Sequence, residues 1–383
     1  MLANIFYRLT LVLAFSFTSL SANADYAFNL LDSLGGTKSE AMGINASGQV
    51  VGYAYTANDA NYFATLWNGT SATALTTLSG SNTVALGINS QGQVSGYTNS
   101  TPSPLGDSPL TLPYNALIWN NGNASNLPSI GGTYNKNNAT NNAGTSVGWS
   151  LTSGDTAYHA TAWTGLYTID LGAGASGGTS SRAVAINNSG LVVGSSLTSD
   201  GNGYHATLWN GTIATDLGTL GGSYSIARAI NDSGQIVGWS NLTDGSQHAT
   251  LWNNGIATDL GLLGGFYSYA NGINSSGKVV GWSSTASGVT HATMWDGTTA
   301  IDLNSFLSPS QVADGWVLDT ARAINENGSI VGGAYNTLLG ITSQAFILAA
   351  VPELNTNVML LMGLGLFGFM ARRQNQIGKL KKS

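Results

Sequence analysis

Four histidines, His159, His205, His248 and His291, are all the histidines of this 383-residue chain, so a metal site is the first chemistry to test. A metal-bound imidazole nitrogen lies about 2 Å from its ion, so several histidines must converge on one point. These four are spread evenly, each at the same place in a different copy of an internal repeat. They fall on the third of four strands, roughly 10 Å outside the innermost one at the usual strand spacing. Side chains at that radius diverge, and the expectation is strand-end hydrogen bonding with no metal site. Acid–base hydrolysis needs two carboxylates a few ångströms apart. Asp170, Asp216, Asp259 and Asp302 recur on the fourth, outermost run and read as turn or strand-end residues. Glu40, Asp314 and Asp319 lead into innermost runs, but no spacing pairs them. There is no cysteine, which excludes disulfides, thiol catalysis and thiolate metal sites. No catalytic residue set emerges and no cofactor is implied. The alternative, a secreted hydrolase or lyase acting on polysaccharide, would need two of these carboxylates to meet in the fold.

Binding chemistry has better candidates. Tyr134, Tyr224 and Tyr267 occupy one equivalent position after Gly-Gly-x, and Arg228 and Arg322 both stand three residues before a repeated Asn. Trp316 lies in an insertion over 304–319, and a longer insertion over 98–114 holds four of the chain's seven prolines. Aromatic faces suit sugar rings, and amides and guanidinium groups suit hydroxyls, so these six residues are the candidate ligand-binding set for a polysaccharide. Nucleic acid is excluded by a net charge of −6 with only 8% charged residues, because phosphate neutralisation needs a basic face.

The elements that must position them come from the repeat. An Asn followed three residues later by Gly recurs at Asn45, Asn89, Asn141, Asn187, Asn231, Asn274 and Asn325, with spacings of 44, 52, 46, 44, 43 and 51. A second Gly follows each Asn by seven residues, from Gly52 to Gly332, and an Ala-x-x-Trp element ends at Trp67, Trp119, Trp163, Trp209, Trp252 and Trp295; Leu348 takes that place in the last copy. The clearest copy, 221–259, has four short runs of strand character at 227–231, 235–240, 248–252 and 256–260. Turn residues separate them, since Asn can bond its own backbone and Gly can adopt positive φ. No copy shows helical periodicity. Four strands every 40 to 50 residues predict propeller blades.

The two ends of the repeat region complement each other. Residues 27–36 align with a fourth run lacking its first three, while 344–348 form a third run with no fourth after it. An open array would leave an unpaired edge, so the fragments predict a ring of seven blades closed by the N-terminal strand. Two residues before each Asn stands Gly43, Gly87, Ala139, Ala185, Ala229, Gly272 or Ala323, as expected where innermost strands crowd. The pattern resembles the HAF family of extracellular repeats, named for a His-Ala-Phe triplet; here it reads His-Ala-Thr at the four histidines and Gln-Ala-Phe at 344–346. The resemblance covers roughly 26–349 and implies an exported bacterial surface or matrix protein without catalytic residues.

Both flanks carry sorting patterns. Arg8, an apolar run over 9–20 and Ala22-Asn-Ala24 predict a signal peptide over 1–24. At the other end Pro352 and Glu353 precede an apolar segment over 358–371, about 21 Å long as helix, and then Arg372 and Arg373. That order is similar to the PEP-CTERM sorting signal, with Leu354 in place of the second proline and an extension over 374–383 beyond the arginines. The resemblance implies a Gram-negative source, an exosortase as partner, a short C-terminal transmembrane helix that anchors the chain in the inner membrane before processing, and delivery to the surface or exopolysaccharide matrix of a biofilm. The expectation is thus an all-β chain: signal peptide 1–24, a seven-bladed β-propeller over 25–349 and a sorting tail over 350–383. Its function is read as binding or structural.

Overall fold

Each repeated Asn builds a hairpin. Its Oδ1 accepts from the backbone amide four residues on, at 2.8 to 3.0 Å, in all seven copies. The glycine three residues after the Asn sits at φ between 78° and 87°, a region a Cβ disfavours. The computed structural model describes residues 26–78, 82–99 and 114–351; the expected signal peptide, the sorting residues Pro352, Glu353, Arg372 and Arg373, the transmembrane helix and most of the 98–114 insertion lie outside them. Among the described residues no helix is long and apolar enough to cross a membrane.

The described chain is all-β, with 28 strands in four-stranded antiparallel sheets. In the copy at 221–259 the strands are Gly221–Ile230, Ile236–Leu242, Gln247–Asn253 and Ile256–Asp259, paired in sequence order. A single parallel bridge, Gln247↔Tyr267, ties this sheet to the next. The last sheet contains Trp316–Ile324, Ile330–Asn336 and Ile341–Ala350, and its fourth strand is Tyr26–Leu30, antiparallel from Tyr26↔Ala350 to Leu30↔Phe346. The end fragments therefore meet as their complementarity requires. The insertion at 304–319 contains two short helical turns, Leu303–Phe306 and Pro309–Ala313. The second starts on a capping box at Ser308 and Gln311 with proline in the first turn, and at five residues it is too short to show a period.

Sheets join through their inner strands. Each Asn Nδ2 donates to the backbone carbonyl of the Asn in the next sheet, at 2.9 to 3.3 Å, and Asn325 donates to Asn45. The seven bonds form a closed, propeller-like ring. A second set of clasps sits six residues before each Asn. Ser39, Thr83, Asn135, Ser181, Ser225 and Ser268 each accept from the amide of an alanine on the third strand of the preceding sheet. Only the seventh position differs, and it is Asp319.

The core lies between sheets. Trp67, Trp119, Trp163, Trp209, Trp252 and Trp295 are fully buried, each in an apolar cluster shared with a neighbouring sheet. The glycine seven after each Asn is a packing requirement. A Cβ there would meet the carbonyl oxygen of the paired inner strand at 1.8 to 2.0 Å. The small residue two before the Asn abuts the next sheet: a Cβ on Gly43 would lie 3.3 Å from Gly87 Cα, and one on Gly272 equally close to Ala323 Cα.

Candidate functional site

The inner strand of every sheet breaks register at the residue three before its Asn: Met42, Leu86, Asn138, Val184, Arg228, Asn271 and Arg322. A bulge re-aims its side chain out of the alternating pleat. All seven line a single cavity of about 550 Å³ bounded by all seven inner strands. Lys136 and Arg182, five before their Asn, and Ile226 at the equivalent place reach it too, with Tyr114 and Trp149. The hairpin repeats, but the bulge positions do not: they carry seven residues of five types, where the Asn and the glycines three and seven after it never vary.

Of the six candidates read from sequence, Arg228 and Arg322 line this cavity. Tyr134 instead packs against an aromatic cluster of Tyr53, Tyr62, Tyr97, Tyr114, Trp149 and Tyr158. Tyr224 is half-buried, and Tyr267 is exposed at the bridge to Gln247. Trp316 packs into the core of the last sheet, 6.2 Å from the Phe28 ring. The structure thus separates the two arginines from the four aromatics.

Sequence reasoning named Glu40 and Asp319 but did not bring them together beside the cavity. Glu40 on the first inner strand and Arg322 on the last are 282 residues apart, yet Arg322 Nη2 and Nε donate to Glu40 Oε1 at 2.5 and 2.6 Å. Tyr53 Oη donates to Glu40 Oε2 at 2.9 Å, so both carboxylate oxygens are engaged. The Glu40 side chain is 8% exposed, whereas Arg322 keeps 29% through its opening onto the cavity. Asp319 joins them from a second break of register, between Leu318 and Thr320, which leaves it unpaired where Ser39, Ser181, Ser225 and Ser268 are paired in their sheets. A Cβ on Gly333 would lie 3.3 Å from Asp319 Oδ1 and 3.9 Å from Glu40 Cδ, so the two carboxyl groups crowd one point. The position of Gly333 holds Tyr53, Tyr97, Trp149, Trp239 and Trp282 in other sheets, and such a ring would occupy the space these carboxyls use. Burial first, and then the charge of Glu40, raise the Asp319 pKa to about 6 against the pull of Arg322. Burial and Glu40 likewise push the Tyr53 phenol far up.

The histidines are engaged within their own sheets. Nδ1 of His159, His205, His248 and His291 lies 2.7 to 2.9 Å from Asp170, Asp216, Asp259 and Asp302 respectively. Three of these aspartates also accept from the amide two residues on, from Gly172, Gly218 and Gly261, and Asp302 accepts from Asn304. Each pair pins a third strand to the turn after a fourth strand. The constant separation of eleven residues was the sequence signal for them.

No protein-family model and no curated protein matches this sequence. Among solved structures the chain is similar to TolB from Acinetobacter baumannii, with 9% identity and a TM-score of 0.40 over 80% of this chain; the match spans 65% of the TolB chain. It is also similar to a variant of AofleA from Arthrobotrys oligospora, at 12% identity and a TM-score of 0.37 over 73% of this chain and 90% of that one. A third is the PQQ-bound aldose sugar dehydrogenase from Streptomyces coelicolor, at 12% identity and 0.36 over 85% and 98%.

Proposed function

We propose that the chain is a seven-bladed β-propeller, exported to the cell surface or exopolysaccharide matrix, that binds a saccharide ligand in its central cavity and catalyses no reaction. The observation that carries this reading is broken symmetry: the hairpin Asn and the glycines three and seven after it are the same in every repeat, while the bulge residues that line the cavity differ from sheet to sheet. A spacer without a ligand would have no use for that difference, whereas variable side chains on a fixed scaffold are how a binding site is made. The seven-fold Asn ring and the pairing of Tyr26–Leu30 with Ile341–Ala350 support seven blades. Export and processing by an exosortase rest on the flanking sorting patterns.

The rival reading is hydrolysis or elimination on a polysaccharide, and Glu40 with Asp319 supplies the close carboxylate pair it requires. Glu40 is an unsuitable base or nucleophile, however. Arg322 and Tyr53 hold both its oxygens, and neither carboxylate lines the cavity. The test is a glycan array and a pull-down with the native exopolysaccharide, using the purified full-length protein, followed by product analysis of any bound polymer. Retention of intact polymer supports binding. No retention sinks the saccharide reading, and chain cleavage lost in Asp319→Asn would replace it with hydrolysis.

A further inference from the structure

The distribution of charge in the ring is uneven in a way the repeat does not require. Residues 26–351 contain six basic side chains, Lys38, Lys136, Arg182, Arg228, Lys278 and Arg322, against sixteen Asp and Glu. Four of those six line the one central cavity, and no Asp or Glu is among its described lining residues. The other two are engaged elsewhere: Lys278 pairs with Asp296 at 3.0 Å, and Lys38 lies over the Tyr55 ring. An acidic protein has thus gathered most of the cations of this region around one half-open cavity, whose low-dielectric walls focus their field.

From this placement we infer that the central cavity is an oxyanion site, taking a carboxylate or phosphate group of the bound molecule. The inference rests on the binding reading above and specifies the chemistry of its ligand. Arg182 is held by neutral groups, with Nε donating to Ser195 Oγ at 3.2 Å and the guanidinium 5.7 Å from the Tyr204 ring centroid. Those contacts orient the fork without neutralising it. Lys136 lies 4.6 and 5.3 Å from the ring centroids of Tyr97 and Tyr114. The bulge under Arg228 turns that side chain towards the axis. Arg322 contributes less net charge, because Glu40 occupies it. Guanidinium groups grip carboxylates and phosphates in bidentate fashion, and apolar walls such as Met42, Leu86 and Trp149 can cover the remainder of a sugar. A volume near 550 Å³ falls in the range of small-ligand sites.

The experiment is calorimetric titration of the full-length protein with an oligogalacturonate, a neutral oligogalactose of equal length and inorganic phosphate, each at low and high salt. Arg182→Gln, Arg228→Gln and the surface control Lys278→Gln are titrated alongside, with melting curves to confirm that each is folded. Oligogalacturonate or phosphate should bind and weaken at high salt. Either cavity variant should weaken it by roughly ten- to a hundred-fold, the usual worth of one hydrogen bond to a charged group, while Lys278→Gln leaves it unchanged. Phosphate binding without uronate binding keeps the oxyanion site and removes the saccharide reading. Equal binding of the neutral and acidic oligomers, indifferent to salt and to both cavity variants, overturns the oxyanion site and leaves the saccharide reading standing. Binding of neither anion overturns it outright.

Discussion

Replacing Asp319 by Asn should make the protein more stable near neutral pH and should have almost no effect in acid. In the folded chain the Asp319 carboxyl titrates near pH 6 instead of 3.8, because it is part-buried and faces Glu40. Between those two values the folded state holds a proton that the unfolded state has released, so stability falls as pH rises through about 4 to 6. A shift of that size corresponds to on the order of 2–3 kcal/mol, at 1.36 kcal/mol per pKa unit, with the lower end favoured by partial exposure. Asn has the same shape and never ionises. The variant should therefore match the parent at pH 4 and exceed it by about 2 kcal/mol at pH 7. Urea denaturation of the full-length protein at pH 4, 5, 6 and 7, followed by tryptophan fluorescence, reads the difference directly, since six buried tryptophans line the inter-sheet cores. A pH-independent difference, or a variant less stable than the parent at pH 7, would refute the reasoning. Glu40→Gln in the same assay should weaken the pH dependence, because the charge that helps hold the Asp319 proton is gone.

Two further perturbations probe the ring. Asn187→Ala removes the bond to the Asn231 carbonyl and the acceptor for the Leu191 amide and Ser189 hydroxyl; at about 1 kcal/mol each the loss should be about 2–3 kcal/mol by denaturant midpoint, and no change would mean that the ring bonds are incidental. Gly238→Ala would force a Cβ to within 2.0 Å of the Ile226 carbonyl oxygen, so the two paired strands must separate. That overpacking should cost more than about 3 kcal/mol, and the protein should express poorly or melt early; wild-type melting would refute the close approach.

The repeat made much of this fold legible. Asn, the glycine three after it and the strand alternation act over a few residues and recur seven times, so their meaning follows from local conformation. Complementary end fragments foretold the pairing of Tyr26–Leu30 with Ile341–Ala350, because an unsatisfied strand edge has a definite partner in kind. The glycine seven after each Asn was visible as a pattern, but its cause, a carbonyl oxygen about 2 Å from any Cβ, needed the paired strand. The His–Asp pairs were within reach through their fixed separation of eleven residues, and reading each residue type by itself obscured them.

What the tertiary structure alone decided are the features that do not repeat. Closure brings Glu40 against Arg322 across 282 positions, and the break of register between Leu318 and Thr320 turns Asp319 towards them. Gly333, at a place where most sheets carry an aromatic ring, leaves the room they occupy. The four cavity cations are scattered from 136 to 322 and come from two different places in the repeat, so no spacing unites them. Sequence determines a periodic scaffold because strand pairing and turn formation are short-range and repeat with the chain. Which side chains face one another across the axis depends on ring closure and bulge geometry, and those exist only once the seven sheets have assembled.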